Sequence, residues 1–172
     1  MTRLNRQWAI PTDAWDASLR ERARNGVKGV EGIAFWLGRL KGAQFMVTHV
    51  VAVSDASVVK EPDLLVIPAD VINSLTDLAI AEGVFLGGQI HSHGAGWTGL
   101  SSTDKSMGFC PPYYLSVVAP HFGTRSGTSV QDCGVHVLLP GAGFARLSSQ
   151  EIHNHLVVQP GHATFVTVGT SR

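Results

Sequence analysis

Residues 84–104 read VFLGGQIHSHGAGWTGLSSTD, and this stretch decides how the rest of the chain is interpreted. Its first part, 84–93, is an apolar run interrupted by glycines, which predicts a buried strand. The glycine-rich segment 94–100 predicts a loop. Ser101 followed three residues later by Asp104 is typical of a helix N-terminus, where the serine caps the helix and the acid bonds back to the cap. The predicted order is therefore strand, loop and short helix.

Three side chains that can ligate a metal lie at the two ends of that loop. His91 and His93 are two residues apart at the end of the predicted strand, so their imidazoles point to the same face. Asp104 adds a carboxylate from the next segment. Two histidines and one carboxylate, with water in the fourth position, are typical of a catalytic zinc site, whereas a structural site has four protein ligands. The alternative interpretation is two ordinary histidines and a capping box, and the two are compatible because a cap can orient a ligand.

The spacing HxH-x7-SxxD resembles that of the JAMM (MPN-plus) metallopeptidases. That family also carries a glutamate in its first strand, some tens of residues before the histidine pair. Glu31, in the stretch GVEGIAFWLGRL, is similar to that glutamate. Glu21, Glu61 and Glu82 are poorer candidates, because they fall in a predicted helix, in a predicted loop and at a helix end. The resemblance covers roughly residues 12–120.

The resemblance implies a role for each matching residue. His91, His93 and Asp104 would bind one zinc ion. Glu31 would take a proton from the attacking water and return it to the leaving amine. Ser101 would donate its hydroxyl to the oxyanion that develops beside the metal. These roles describe a zinc peptidase.

The resemblance also implies a substrate class and partners. JAMM enzymes mostly cut after the C-terminal glycine of ubiquitin or of a ubiquitin-like protein, at an isopeptide bond to lysine. This compact chain is similar to the bacterial members, which accompany ubiquitin-like conjugation systems in anti-phage defence. The implied partners are a ubiquitin-like protein, its conjugates and the cognate conjugating enzymes. The alternatives are a peptidase that releases a sulfur-carrier protein, a RadC-like protein, or a non-catalytic scaffold of the same fold.

Several residues near the predicted site admit two interpretations. Trp97 either covers the tail of the substrate or packs onto the body of the domain. Gly94 stands where the family commonly has proline, which predicts a more mobile loop. The long polar loop 121–133 is a candidate contact surface. The second histidine pair, 153–155, is interpreted as ordinary surface or strand histidines, because no acid or cysteine follows it at a useful spacing.

The remaining segments predict an α/β fold with a mixed, mostly antiparallel sheet flanked by helices, and the resemblance makes this a JAMM/MPN, cytidine-deaminase-like arrangement. Gly26 and Gly83 end two predicted helices, the second of which begins near Pro68. The turn Lys41-Gly42 predicts a hairpin. The helices are predicted at 12–25, between 68 and 83, and at 101–107; the strands are predicted at 32–40, 44–54, 84–93, 113–119, 135–139, 144–147 and 163–168. His121 and His136 are expected at strand or loop margins, and Trp8, Trp15 and Trp36 in the core.

The composition predicts a single domain over residues 1–172. Hydrophobic residues make up 44% of the chain, and 13 basic residues balance 13 acidic ones. Net charge therefore gives no reason to expect binding to nucleic acid or to a membrane surface. No apolar run approaches the ~20 residues that span a bilayer. Cys110 and Cys133 fit neither a disulfide framework nor a metal pair, so we expect a cytoplasmic protein with free thiols.

Overall fold

The computed structural model describes residues 4–60, 65–106 and 110–169. The helices are α1 (Thr12–Gly26), α2 (Ala69–Glu82), α3 (Ser102–Lys105) and α4 (Ser149–His155). The strands are β1 (Gln7–Pro11), β2 (Ile33–Lys41), β3 (Gln44–Val53), β4 (Val59–Lys60), β5 (Leu65–Val66), β6 (Phe85–Ser92), β7 (Leu115–Ala119), β8 (Gly134–Leu139), β9 (Gly143–Arg146), β10 (Leu156–Gln159) and β11 (Thr164–Val168). Single turns of 3-10 helix lie at Asp55–Ser57, His121–Gly123 and Val130–Asp132.

One large mixed sheet carries the fold. Its strand order is β10-β1-β3-β2-β6-β7-β8-β9, and β11 pairs with the second half of β3, beside β1. The longest ladders are antiparallel and join β2 to β3 and to β6. The pairs β1–β10, β1–β3, β3–β11 and β6–β7 are parallel. The predicted α/β fold with a mixed, mostly antiparallel sheet and flanking helices is therefore confirmed at this level.

The sheet is covered on both faces, so β2 is apolar along most of its length. Trp36 and its neighbours on one face pack with Trp15 of α1. Phe35 and its neighbours on the other face pack with Leu75 of α2. Strands that are buried on both faces read as continuous apolar runs rather than alternating ones. Trp8, Trp15 and Trp36 are at most 5% exposed, which confirms that they are core residues.

The pairing of β2 with β6 places two distant parts of the sequence together. Ile33 is the register partner of His91. One residue earlier, the carbonyl of Gly32 accepts a hydrogen bond from the Ser92 N–H, and the Gly32 N–H donates to Ser92 Oγ, both at 3.1 Å. A Cβ at Gly32 would lie 2.9 Å from Cα of Arg22, so α1 packs closely at this point. Continuing this register by one residue brings Glu31 next to His93.

Several elements differ from the sequence-based expectation. β1, α4 and β10 were not expected, and residues 153–155 lie in α4 rather than on a strand. Residues 55–63, whose polar and mixed sequence predicts a loop, contain a 3-10 turn and β4 up to residue 60, and the last three of them lie outside the described residues. The helix predicted over 101–107 is α3, and Met107 is likewise outside them. β7 begins two residues later than expected, because Tyr113 has a φ of 62°.

Two expectations concern the compartment of the protein. Among the described residues, no helix combines the length and the hydropathy that crossing a bilayer requires. Cys110 and Cys133 are both free thiols, and Cys133 is buried.

Candidate metal centre

Two histidines and one aspartate converge at the end of β6. Their ligand atoms all lie within 4.8 Å of one another. His91 is completely buried, and His93 and Asp104 are 7% and 6% exposed. The distance from His91 Nε2 to Asp104 Oδ1 is 3.3 Å, and that from His93 Nε2 to Asp104 Oδ2 is 3.4 Å. Metal–ligand bonds of 2.0–2.1 Å in a tetrahedron give an edge of about 3.3 Å, so this group could hold a metal ion.

Ser101 and Asp104 form a reciprocal capping box at the start of α3. The Asp104 N–H donates to Ser101 Oγ at 3.1 Å. Asp104 Oδ2 accepts from the Ser101 N–H and from the Ser101 hydroxyl, both at 2.7 Å. The cap that starts the helix therefore also fixes the carboxylate against the two imidazoles. The capping box is confirmed, and its geometry is compatible with a metal-binding role for Asp104.

The local charges favour a cation at this place. Burial alone would raise the pKa of Asp104, but its interactions with His91, His93 and Ser101 outweigh burial and hold that pKa well below its usual value. Burial opposes protonation of His93, but the carboxylates of Asp104 and Glu31 outweigh it and raise the pKa of His93. His91 Nε2 is buried and has no hydrogen-bond partner among the described residues. Buried nitrogen lone pairs beside carboxylates are the donor set of a divalent metal.

Glu31 shares one cavity with most of this group. The cavity has a volume of about 230 Å³, and its lining includes Glu31, His93, Trp97, Ser101 and Asp104. Glu31 is only 6% exposed, and its charge acts on His93. His91 lies behind the others and does not line the cavity. The structure thus brings together the six residues that the sequence predicts at this site: Glu31, His91, His93, Trp97, Ser101 and Asp104.

The other glutamates do not compete for this position. Glu21 forms an ion pair with Arg24 at 2.8 Å on α1. Glu82 is half exposed at the end of α2, 3.8 Å from His49. Glu61 lies outside the described residues. Within the described part of the chain, Glu31 is the glutamate that lines the cavity.

Trp97 forms one wall of the site. Its indole stacks on the His93 imidazole with ring centroids 5.0 Å apart and an interplanar angle of 11°. A Cβ at Gly99 would lie 2.5 Å from the indole, so that glycine leaves room for the ring. Trp97 is nevertheless 56% exposed. It therefore packs onto a candidate metal ligand and also offers an apolar surface at the mouth of the cavity.

The start of the long loop 121–133 packs against the segment that follows His93. The Phe122 N–H donates to the His93 carbonyl at 2.7 Å, and the His121 N–H donates to the Ala95 carbonyl at 3.1 Å. A Cβ at Gly94 would lie 2.6 Å from the Phe122 ring. The phenylalanine therefore occupies the space beside the backbone where a larger residue than glycine would project. His121 and Phe122 both have positive φ, a strained conformation for such side chains.

Two larger cavities lie near the opposite end of β6. Each has a volume of about 430 Å³, and both are lined mainly by apolar residues that include Phe85 and Leu86. They contain no cluster of metal ligands among the described residues. We therefore assign the candidate functional site to the smaller cavity beside His93.

His136 differs from the expectation of an ordinary marginal histidine. It lies within β8, opposite Ser116, and is only 5% exposed. Burial, together with the positive charge of Arg146, lowers the pKa of His136 to about 4. The residue is therefore neutral at pH 7 and becomes a source of acid sensitivity.

We expect the contribution of His136 to the stability of the metal-free protein to fall as the pH drops from 6.5 towards 4. An unfolded histidine binds a proton near pH 6.5, whereas His136 in the folded protein resists protonation until about pH 4, so acid favours the unfolded state. The effect on the free energy of unfolding should be at most about 3 kcal/mol. Denaturant unfolding at pH 7.5 and 5 should show a smaller pH difference for His136→Gln than for the natural chain. His153→Gln, an exposed site, is the control, and equal pH differences in all three proteins would contradict the assignment.

The fold is similar to that of two solved bacterial proteins. A Desulfitobacterium hafniense protein, solved in solution, is 17% identical with a TM-score of 0.61, and the match covers 90% of this chain and 94% of that one. A Salinibacter ruber protein, also solved in solution, is 18% identical with a TM-score of 0.53, covering 88% and 91%. No family model and no curated protein matches the sequence. At these identities the likeness shows a shared fold alone.

Proposed function

We propose that this protein is a zinc-dependent peptidase of the JAMM type, which cleaves after the C-terminal glycine of a ubiquitin-like protein. The observation that carries the proposal is the position of Glu31. Glu31 lines the same cavity as His93 and Asp104, although it stands just before β2, some sixty residues earlier in the chain. A capping box and a histidine pair alone would not require a buried acid at this place.

The donor set supports zinc as the metal. His91, His93 and Asp104 are three protein ligands, and the cavity lies on the side of His93 and Asp104 that they leave open. Catalytic zinc sites have three protein ligands of this kind and one open position, whereas structural sites are closed by four. Zinc bound there would polarise a substrate carbonyl and make water acidic enough to attack it near neutral pH. The presence of every ligand also disfavours the scaffold alternative.

Glu31 is proposed to handle the proton in the reaction. Its buried carboxylate can orient a water molecule in the cavity and accept a proton from it on a carboxylate oxygen. The same oxygen can then return the proton to the leaving nitrogen, because the residue stays beside the reacting atoms. The amide bond breaks between carbonyl carbon and nitrogen, and the products are a free carboxylate and a free amine.

Ser101 is proposed to act in two ways. In the structure its hydroxyl donates to Asp104 Oδ2 and thereby positions the carboxylate. Ser101 also lines the cavity, so rotation of its side chain can direct the same hydroxyl towards a developing oxyanion. The first role is a contact of the resting structure, and the second belongs to the proposed reaction.

The shape of the cavity supports a narrow, extended substrate. A volume of about 230 Å³ between Glu31 and Trp97 leaves little room for bulky side chains. A glycine-rich tail, such as that of a ubiquitin-like protein, meets this restriction, and the exposed indole of Trp97 can cover it. The conjugated protein and conjugating enzymes as partners and a role in bacterial anti-phage defence are taken from the sequence resemblance, whereas a cytoplasmic location is taken from the cysteine content and the short apolar runs. A sulfur-carrier protein would fit the same site.

Metal analysis and a cleavage assay together test the proposal. The purified protein should contain about one zinc per chain, and His91→Ala should lose it, whereas His153→Ala should keep it. The substrate is a ubiquitin-like protein ending in two glycines, joined by its last carboxyl group to the lysine amine of a fluorescent peptide. Cleavage should stop with a chelator and return with added zinc. A protein that binds no metal in excess zinc, or cleavage that is indifferent to the chelator, would disprove the proposal.

A further inference from the structure

A buried group of polar residues lies behind His91, on the side away from the cavity. Gln89 precedes His91 by two residues on β6, so both side chains point to the same face. Ser116 on β7 is the register partner of Gln89, and Tyr114 precedes Ser116 by two residues. Gln89 and Ser116 are 1% exposed, and Tyr114 and His91 are completely buried. Polar groups buried to this extent require partners, so their hydrogen bonds are informative.

Gln89 is the centre of this group. Its Nε2 lies 3.3 Å from His91 Nδ1 and 3.5 Å from Ser116 Oγ. The Tyr114 hydroxyl donates to Gln89 Oε1 at 2.9 Å. The amide of Gln89 therefore connects a tyrosine and a serine to the imidazole nitrogen that faces away from Asp104. Each end of the amide has a partner in this arrangement.

The orientation of that amide determines which nitrogen of His91 carries the proton. When Gln89 Nε2 donates to His91 Nδ1, the proton of a neutral imidazole must be on Nε2, where it blocks a metal. When Gln89 Oε1 faces Nδ1 instead, it accepts the Nδ1 proton and leaves the lone pair of Nε2 free. The two orientations differ by a half-turn of a side chain whose oxygen and nitrogen have almost the same size.

The surrounding groups can satisfy both orientations. Tyr114 can donate its hydroxyl hydrogen to Oε1 or accept a hydrogen from Nε2, and Ser116 can do the same, because a hydroxyl is both donor and acceptor. His91 Nε2 makes no hydrogen bond in the structure but lies 3.3 Å from Asp104 Oδ1, so a small rotation of the imidazole lets a protonated Nε2 donate to this oxygen when no metal is present. The metal-free and metal-bound forms thus each have a complete set of partners around Gln89.

We propose that Gln89 is a positioning residue for the metal centre, whose side-chain carbonyl accepts the Nδ1 proton of His91 and whose amide turns over when the metal binds or leaves. Tyr114 and Ser116 hold the amide in either orientation. The inference rests on the proposed metal site and adds the residue that selects the tautomer of His91. Partners of this kind fix the orientation of metal-binding histidines and raise their basicity.

Two substitutions of Gln89 separate this role from simple packing. Gln89→Met has a similar length but offers no hydrogen bond, whereas Gln89→Glu presents a carboxylate oxygen to His91 in either orientation. We expect the affinity for zinc to fall about 10–100-fold in Gln89→Met and to be retained in Gln89→Glu. Competition with a chromophoric chelator measures both affinities. Gln150→Met, on the exposed face of α4, is the matched control and should bind zinc like the natural chain.

The tautomer itself provides a readout that packing would not change. Long-range nitrogen–proton NMR spectra of the imidazoles should show the proton of His91 on Nδ1 in the zinc-bound natural chain. In the metal-free form the proton should be on Nε2 in the natural chain and should be distributed over both nitrogens in Gln89→Met. Should Gln89→Met fail to fold, Tyr114→Phe, which removes one partner of the amide, is expected to weaken zinc binding and shift the same NMR signals.

The possible outcomes distinguish this inference from the proposed function. If the natural chain binds no zinc, the proposed function fails. The role of Gln89 is wrong if the natural chain binds zinc and folded Gln89→Met binds it with an affinity within about threefold of the natural one. It is also wrong if Gln89→Glu loses as much zinc affinity as Gln89→Met. In both cases the proposed metal site is unaffected. Likewise, unchanged NMR signals in Tyr114→Phe would overturn the role given to the amide.

Discussion

A Glu31→Gln variant should bind zinc as the natural chain does and yet cleave the ubiquitin-like conjugate about 10²–10⁴-fold more slowly. Glutamine keeps the shape of the side chain but cannot accept a proton at neutral pH. Glu31 is not one of the three candidate ligands that converge at the end of β6, so zinc binding should remain. Steady-state cleavage rates, measured beside zinc content, provide the comparison.

The matched control for this variant is Glu82→Gln. Glu82 is half exposed at the end of α2 and does not line the cavity. The Glu82→Gln substitution should therefore leave the cleavage rate unchanged. Rates for Glu31→Gln within a few-fold of the natural rate would show that another group handles the proton, and the proposed mechanism would then be wrong.

An Asp104→Asn variant should lose zinc affinity by at least about 100-fold, more than the loss of a residue that only positions a ligand. The amide removes the negative charge and is a poor ligand. Its oxygen can still accept the hydrogen bond from the Ser101 N–H, so α3 should remain and the metal-free protein should lose at most about 1 kcal/mol of stability. Zinc titration and denaturant unfolding of the metal-free protein measure the two effects separately.

Asp132→Asn is a close control for this substitution. Asp132 accepts hydrogen bonds from the N–H and the hydroxyl of Ser129, at 2.8 and 2.9 Å, as Asp104 does from Ser101. No metal ligand accompanies it in the described part of the chain. Asp132→Asn should therefore change stability alone. Equal zinc affinity of Asp104→Asn and the natural chain would place this carboxylate outside the coordination sphere.

The site was predictable because its residues obey local rules. A spacing of two on a strand places His91 and His93 on one face, and a serine three residues before an acid starts a helix. The position of Glu31 was harder to predict from the sequence, because it depends on the pairing of β2 with β6, which no local pattern indicates. The two long helices were also predictable, because proline or glycine bounds them and an apolar stripe follows the helical period.

The unexpected elements share a different physical origin. α4 is seven residues long and buries Ile152 alone, so its sequence has no helical stripe, although Ser148 and Glu151 form a capping box that could have indicated it. β1 and β10 pair with each other across almost the whole chain, and such contacts leave no local trace. The left-handed backbone conformation of Phe122 could not be predicted from the sequence either, because few phenylalanines adopt this conformation.

The three candidate ligands differ in how firmly the fold holds them. His91 lies in the interior of the sheet, paired with Ile33 of β2 on one side and with Val118 of β7 on the other, and the N–H of His93 bonds to the Ala119 carbonyl at 3.0 Å. Asp104 instead belongs to a helix of one turn that follows a glycine-rich loop. Separating the two imidazoles would break the hydrogen bonds that pair β6 with β2 and with β7. The Asp104 carboxylate, in contrast, can move away when the short helix α3 unwinds. We therefore expect that a bound metal would enter and leave when the Asp104 carboxylate detaches. The imidazoles of His91 and His93 would keep their positions throughout.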